Sequence, residues 1–531
     1  MKVLIRQSSD GCELKSLKDT LESLEKYGFK RIYLSSSDNV KDDNFDLDIK
    51  CGETISCLRQ DKKIIHNYGG FKVLHSFGSS IGFEIIPSSN STLPEIISKF
   101  KSAEESVLTS LVNEYPKTFE THYQLGFYYF NNKNFTKAYT EFRQARKYKD
   151  TINWNIGYVK EWREHGLDLN QGLSAYYSGA IDRGRLCMDR IIMNKNTSAL
   201  LLSQCYKNYE FFTQPLKTIW TKEYTLNSYN LPKHIKKYKS LNPSLLRKND
   251  KEIYLNIRIV NWSVNPVGFN KYTSPHPKNK FKTKNLLSII DNNGDFLVKP
   301  SLVKKGENFD LGKIRKYHID GFEDCRLFYH KDDEVYFITN YTKNNPKGAM
   351  RLSIGKINIK KDPKYVKLIP LQGYGDHLIQ KNWLVYCVEK KKAFAIYGYD
   401  PMVKIQIDLE TGIVNPISET KLPVRSGEFR GSGGPIPFED GYLIVIHQVY
   451  LKDHGGRRYF HRFVHLDKSM IPIGLSHMWY LKSKDIEYVS TMMDVGDNIL
   501  IGYGMCDKCA CISLVSKEII SSMILPICDY M

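Results

Sequence analysis

From about residue 250 to its end the chain is a succession of short apolar runs broken by Gly, Asp, Asn and Pro. The clearest runs are 254–260, 335–341, 352–359, 383–388, 394–399, 442–449, 460–466 and 499–504. They are too short for helices, and no helical pattern separates them. Parallel strands would need long crossovers, so neighbouring runs must pair antiparallel. Roughly 280 residues of such strands predict a propeller or a large sandwich, and at about 50 residues per four-stranded blade five blades fit.

The preceding half reads differently. Residues 1–92 predict a small α/β piece: 3–5 and 31–34 are strand-like, and Leu14, Leu17, Leu21 and Leu24 recur at helical spacing. Asp46-Leu47-Asp48 is a D-x-D triplet of the kind that holds a metal in some transferases, but nothing around it supports that use, and it is read as chance. Residues 93–215 predict helices. Leu125, Gly126, Tyr129, Ala138, Phe142 and Ala145 fall on the roughly 34-residue tetratricopeptide spacing, with His122 where Trp is usual. A poorer copy runs through 172–177 and Gly184, and 200–212 predicts a closing helix. Residues 216–250 carry Lys233, Lys236, Lys237 and Lys239 with Pro232 and Pro243, and read as a basic connector. The β region spans 251–531.

The net charge of +19 suits anionic partners. No nucleic-acid-binding signature accompanies the lysines, and no apolar run is long enough to cross a membrane. The 11 cysteines show no even pairing, and charge arrives too early in the first residues for a secretory leader. Reduced thiols in the cytoplasm are therefore expected. Cys506, Cys509 and Cys511 cluster, but no fourth ligand at zinc spacing follows, so no metal and no cofactor are predicted.

The chemistry-bearing stretch is Gly321-Phe322-Glu323-Asp324-Cys325-Arg326. Side chains at i and i+2 share a strand face, which predicts Asp324 and Arg326 pointing together. Two acids beside a guanidinium in a β-rich region are a simple way to build a sugar or phosphate site. They are also a common surface ion pair. Further along stand Gly431-Ser432-Gly433-Gly434-Pro435 and His447.

These motifs resemble those of the five-bladed propeller glycosidases, mannoside phosphorylases and β-1,2-mannosyltransferases. Residues 321–326 look like that group's G-x-E-D-P-R, with Cys325 in place of its proline. Glycosyltransferase-annotated relatives share Arg258 and Asn261, Lys381-Asn382-Trp383, Arg430-Gly431-Ser432, His461-Arg462, Glu487 and Asp507. The helical region resembles repeats found beside family-2 glycosyltransferases, and the first 50 or so residues faintly resemble the opening of such a transferase. The resemblance implies a multidomain chain: a small α/β piece, a tetratricopeptide-like region and an all-β five-bladed propeller.

It also implies roles. Asp324 would be the acid/base and Glu323 its catalytic neighbour. Arg258, Asn261, Arg326, Lys381, Asn382, Trp383, Arg430, Gly431, Ser432, His447, His461, Arg462, Glu487 and Asp507 would line the substrate. The leading expectation is a glycosyltransferase that moves a hexose, mannose among the candidates, from a sugar phosphate or nucleotide sugar to a glycan or protein-linked acceptor. A protein partner would dock on the helical repeats. A glycoside phosphorylase or hydrolase of the same fold, or a non-catalytic glycan-binding scaffold, are the alternatives.

Overall fold

The computed structural model describes residues 2–7, 31–35, 47–51, 63–68, 71–75, 105–151, 162–226, 231–264, 272–274, 281–307, 319–341, 351–360, 362–374, 381–452 and 456–531. The chain divides into two compact units, Met1–Ile191 and Ile192–Met531. The helix expected over 14–27 and the Asp46 end of the acidic triplet lie outside the described residues.

In the first unit Lys2–Gln7 forms the centre of a three-stranded parallel sheet, between Arg31–Ser35 and Leu47–Cys51. The helices Glu105–Glu114, Phe119–Asn131, Phe135–Lys147 and Leu167–Tyr177 follow. Phe119–Asn131 and Phe135–Lys147 form a hairpin whose seam is Tyr123, Tyr129, Ala138, Phe142 and Ala145, all buried. Gly126 sits against the Phe142 ring, where a Cβ would lie 2.9 Å from two ring carbons. A small residue is therefore needed where the helices cross. Glu120 and Arg163 form a buried ion pair at 2.7 Å, which joins the hairpin to the turn at Trp162–Gly166.

The second unit is mostly β. Ser198 caps the helix Ala199–Phe212 by accepting from the Leu201 amide. Tyr206 of that helix stacks on Tyr450, and Tyr209 packs on Phe460. The rest is a propeller-like arrangement of sheets whose strands pair antiparallel except at Lys304–Lys305 and Trp479–Tyr480. Their innermost strands are Lys239–Arg247, Glu323–Lys331, Leu384–Glu389, Arg430–Phe438 and Glu487–Val495. These strands adjoin one another in cyclic order. The stretch 216–250, expected to be a connector, is structural. Trp220–Tyr224 is the outer strand of the last sheet, pairing Tyr224 with Ala510 and Trp220 with Leu514. Lys239–Arg247 is the inner strand of the first. Pro243 is tolerated because it falls in a register break between Leu241 and Ser244.

Each innermost strand carries such a break: Glu323/Arg326, Val385/Cys387, Gly431/Gly433 and Val489/Thr491 are the others. Bulges re-aim side chains and bend strands. Here they fall where the candidate site residues cluster.

Candidate functional site

Asp324 lies inside the break of its strand, in left-handed backbone at φ 48°. Gly321 precedes it at φ 117°, and a Cβ there would stand 2.1 Å from the Thr283 carbonyl. Only glycine lets the chain pass so close to the neighbouring sheet. The bulge defeats the expectation that Asp324 and Arg326 point together. Asp324 turns to the first sheet and Arg326 to the third.

Arg258 is the partner of Asp324. Its Nη1 donates to Asp324 Oδ1 at 2.7 Å, its Nε donates to Thr283 Oγ1 at 3.1 Å, and its Nη2 lies 3.4 Å from Glu323 Oε1. The guanidinium is buried and occupied by protein groups. Arg258 therefore orients the carboxylates, which corrects its expected role as a substrate ligand. Asn242 also donates to Asp324 Oδ1, at 2.8 Å. Among the described residues no hydrogen bond or ion pair falls on Oδ2.

Burial pushes the Asp324 carboxyl up, but Arg258, the Asn242 amide, Lys381 and Arg326 together outweigh it. They hold the acid below its ordinary range. Burial of Arg258 is likewise outweighed, by Asp324, Glu323 and Asp507, and its guanidinium holds its proton more tightly.

Arg326 donates to the Trp383 carbonyl at 3.4 Å and to Asn382 Oδ1 at 3.3 Å, and it contacts the Tyr488 hydroxyl closely. Burial draws it down to about 10, against the pull of Asp324. Tyr488 donates to Asn382 Oδ1 at 3.0 Å. Trp383 itself is 2% exposed, with its ring in the core 5.1 Å from Tyr397. It offers the site a carbonyl and no exposed ring face, which corrects its expected place in the substrate lining.

Ser432 Oγ lies 2.7 Å from His447 Nδ1. The imidazole stacks on Tyr459 and meets Tyr488 edge-on. Burial, then His461, Arg430 and Arg326, push His447 well below its ordinary value, so it stays neutral. Arg430 is exposed, and Gly431 abuts the Asn382 carbonyl. Asp507 stands in left-handed backbone at φ 50°. Burial raises its carboxyl to about 6, Arg258 opposes this, and Asp324 and Glu323 add to it. Two acids near one guanidinium are thus pushed apart in proton affinity, which is how one site holds both a base and an acid.

Other expected residues are structural. Glu487 is fully buried and accepts from the amides of Leu481, Lys482 and Ser483 at 2.5, 2.7 and 3.0 Å. Burial still raises its carboxyl. His461 is buried against Trp479, 3.7 Å from Glu487, and burial lowers it to about 3. Arg462 bridges Gln448 and the Ser476 carbonyl, both at 2.8 Å. Asn261 ties two segments 21 residues apart by accepting from the Lys282 amide at 2.7 Å. Glu487, His461 and Arg462 reinforce the sheets, because full burial leaves them no access to substrate, whereas Asn261 is only half-buried. Lys381 precedes the third sheet and acts on Asp324 through its charge.

Sequence reasoning missed Asn242 and Tyr488. The Asn-Pro pair inside a strand-like run was the available signal for the first. Tyr488 carried no signal beyond standing next to Glu487.

No protein-family model and no curated protein matches the chain. Among solved structures it is similar to a β-1,2-mannobiose phosphorylase from Listeria innocua, with 14% identity and a TM-score of 0.39 over 57% of this chain and 98% of that one. A putative glycoside hydrolase from Bacteroides ovatus gives 12% and 0.40 over 57% and 94%. A mannose phosphorylase from Leishmania mexicana gives 10% and 0.35 over 61% and 95%.

Proposed function

We propose that this chain is a carbohydrate-active enzyme that moves a glycosyl group between phosphate and a sugar hydroxyl. On this reading the second unit is a five-bladed propeller with Asp324 at its funnel. The observation that carries the proposal is the Asp324 carboxylate, clamped through Oδ1 by Arg258 and Asn242 with Oδ2 left open, among further cations. In the synthetic direction Oδ2 takes the acceptor hydroxyl proton, and the acceptor oxygen bonds to the anomeric carbon. The bond to phosphate breaks, and phosphate departs with the electron pair. In reverse, protonated Asp324 returns the proton to the bridging oxygen as phosphate attacks. Arg326, Lys381 and Arg430 supply the positive charge that a phosphate group needs, and neutral His447 supplies hydrogen bonding. A carboxyl held ionised at rest is in the form that the synthetic step needs near neutral pH.

Asp507 favours a second reading, hydrolysis. A carboxyl with a value near 6 can activate water while another acid protonates the leaving oxygen. On either reading the helical hairpin of the first unit is a tetratricopeptide-like partner surface. The free cysteines fit a reducing compartment, with the Cys511 thiol donating to Cys509 Sγ at 3.8 Å and no disulfide between them. No described helix is long and apolar enough to cross a membrane.

The test is to incubate the protein with hexose 1-phosphates or nucleotide sugars and a panel of glycan acceptors, while following phosphate and nucleotide release. Phosphate release that depends on acceptor and on Asp324 supports the proposal. Nucleotide release instead would shift it to a nucleotide-sugar transferase, and no release from any donor would remove it.

A further inference from the structure

Asn242 sits at the break in the inner strand of the first sheet, in left-handed backbone at φ 43°. Asparagine is enriched in that region. Its Nδ2 lies 2.8 Å from Asp324 Oδ1. An ionised carboxylate only accepts, so the amide must present its NH₂ group there. Its own Oδ1 is buried and has no hydrogen-bond partner among the described residues. Leaving a buried acceptor unmatched is unfavourable, and the fold tolerates it to keep the donor on Asp324.

The amide is also wedged. A Cβ on Gly504 would stand 2.1 Å from Asn242 Oδ1 and 2.9 Å from its backbone nitrogen. The chain of the last sheet therefore presses directly on the amide. Pro243 follows, and its carbonyl is held by the Ser490 hydroxyl.

We propose that Asn242 is the positioning residue of this site, fixing Asp324 with one oxygen clamped inward and the other free for the reacting hydroxyl. The inference rests on the glycosyl-transfer reading above and deepens it. A donor to the charged form also favours that form, so Asn242 sets the pH at which Asp324 takes a proton as well as its direction.

Asn242→Asp keeps the size and the left-handed preference but replaces the donor with an acceptor. Asn242→Gly keeps the backbone and removes the amide. Each is assayed in the phosphate-release reaction across pH, and the Asp324 carboxyl is titrated by ¹³C NMR, assigned by its loss in Asp324→Asn. Asn242→Asp should move the acidic limb of kcat/KM and the Asp324 titration upward by about one pH unit or more. In Asn242→Gly the rise should be smaller, with kcat down roughly 10-fold and KM within about 2-fold. An unmoved Asp324 titration in both folded variants would overturn the proposal, whatever happens to the rate. If the wild-type protein releases no phosphate, the functional reading fails alone. The NMR titration still decides for Asn242: an upward shift in Asn242→Gly supports it and no shift rejects it.

Discussion

Arg258 and Asp324 meet across two sheets, Nη1 to Oδ1 at 2.7 Å, while Arg326, two residues along the strand from Asp324, bonds to Asn382, Tyr488 and the Trp383 carbonyl instead. The bulge between Glu323 and Arg326 separates them. One arginine therefore holds the carboxylates and the other is tied to Asn382, ahead of the third sheet, and to Tyr488, on the inner strand of the last. This division leaves one open carboxylate oxygen with cationic groups around it.

Asp324→Asn keeps an acceptor for Arg258 and a similar shape but cannot take a proton. Turnover should fall by about 10²–10⁴-fold, the usual worth of general acid–base help. The variant should remain folded by circular dichroism. Glu323→Gln should cost less, since its carboxylate lies at 3.4 Å from Arg258 and carries no shorter bond to it. Full activity in Asp324→Asn would reduce Asp324 to a structural partner of Arg258.

Asp507 predicts a pH effect on stability. Its folded-state value of about 6 lies above its ordinary 3.8. A raised acid contributes stability that is complete below the unfolded value and is lost as pH rises through the folded one. The melting temperature of the wild type should therefore include a decrease between about pH 4 and pH 7. Asp507→Asn should remove that component, and differential scanning fluorimetry of the two proteins over this window measures it. Parallel curves would show that Asp507 ionises as a free carboxylate does.

Arg326→Lys replaces a fork with a point charge. The contacts to Asn382, Tyr488 and the Trp383 carbonyl cannot all survive. If Arg326 holds the phosphate group, binding of a sugar phosphate should weaken by roughly 10–100-fold, the equivalent of one or two charge-assisted hydrogen bonds. Isothermal titration calorimetry with the donor that supports turnover reads this directly, and unchanged affinity would remove Arg326 from the substrate site.

The strand runs were legible because period and turn residues are local. All eight overlap observed strands; the 383–388 run begins one residue early and the 352–359 run ends one residue late. Gly126, Tyr129 and Phe142 were legible for the same reason: helical spacing places them on one seam. What was not legible depended on bulges. Alternation put Asp324 beside Arg326, and one register break cancelled it. Trp383, His461, Arg462 and Glu487 carry polar or aromatic chemistry that a sequence cannot assign to funnel or interior. Their burial and backbone partners decide it. The 216–250 stretch misled through its lysines and prolines, because Trp220–Tyr224 pairs with Cys509–Ser516, almost 300 residues later.

That long-range pairing makes a final prediction about truncation. A chain beginning at Leu245 lacks Trp220–Tyr224 and most of Lys239–Arg247. The last sheet then exposes the edge of Cys509–Ser516, and the first loses its inner strand, including Asn242. Leu226, Leu231, Ile235 and Tyr224 leave the shared core with Ile512 and Leu500. An unpaired edge beside a bared apolar face favours aggregation. The Leu245 chain should be insoluble, whereas one beginning at Ile192 retains both strands and the helix Ala199–Phe212 and should melt cooperatively. Size-exclusion chromatography and thermal melts of the two separate these outcomes. A monomeric, cooperatively melting Leu245 chain would mean that the sheets close without the strand from 220–224.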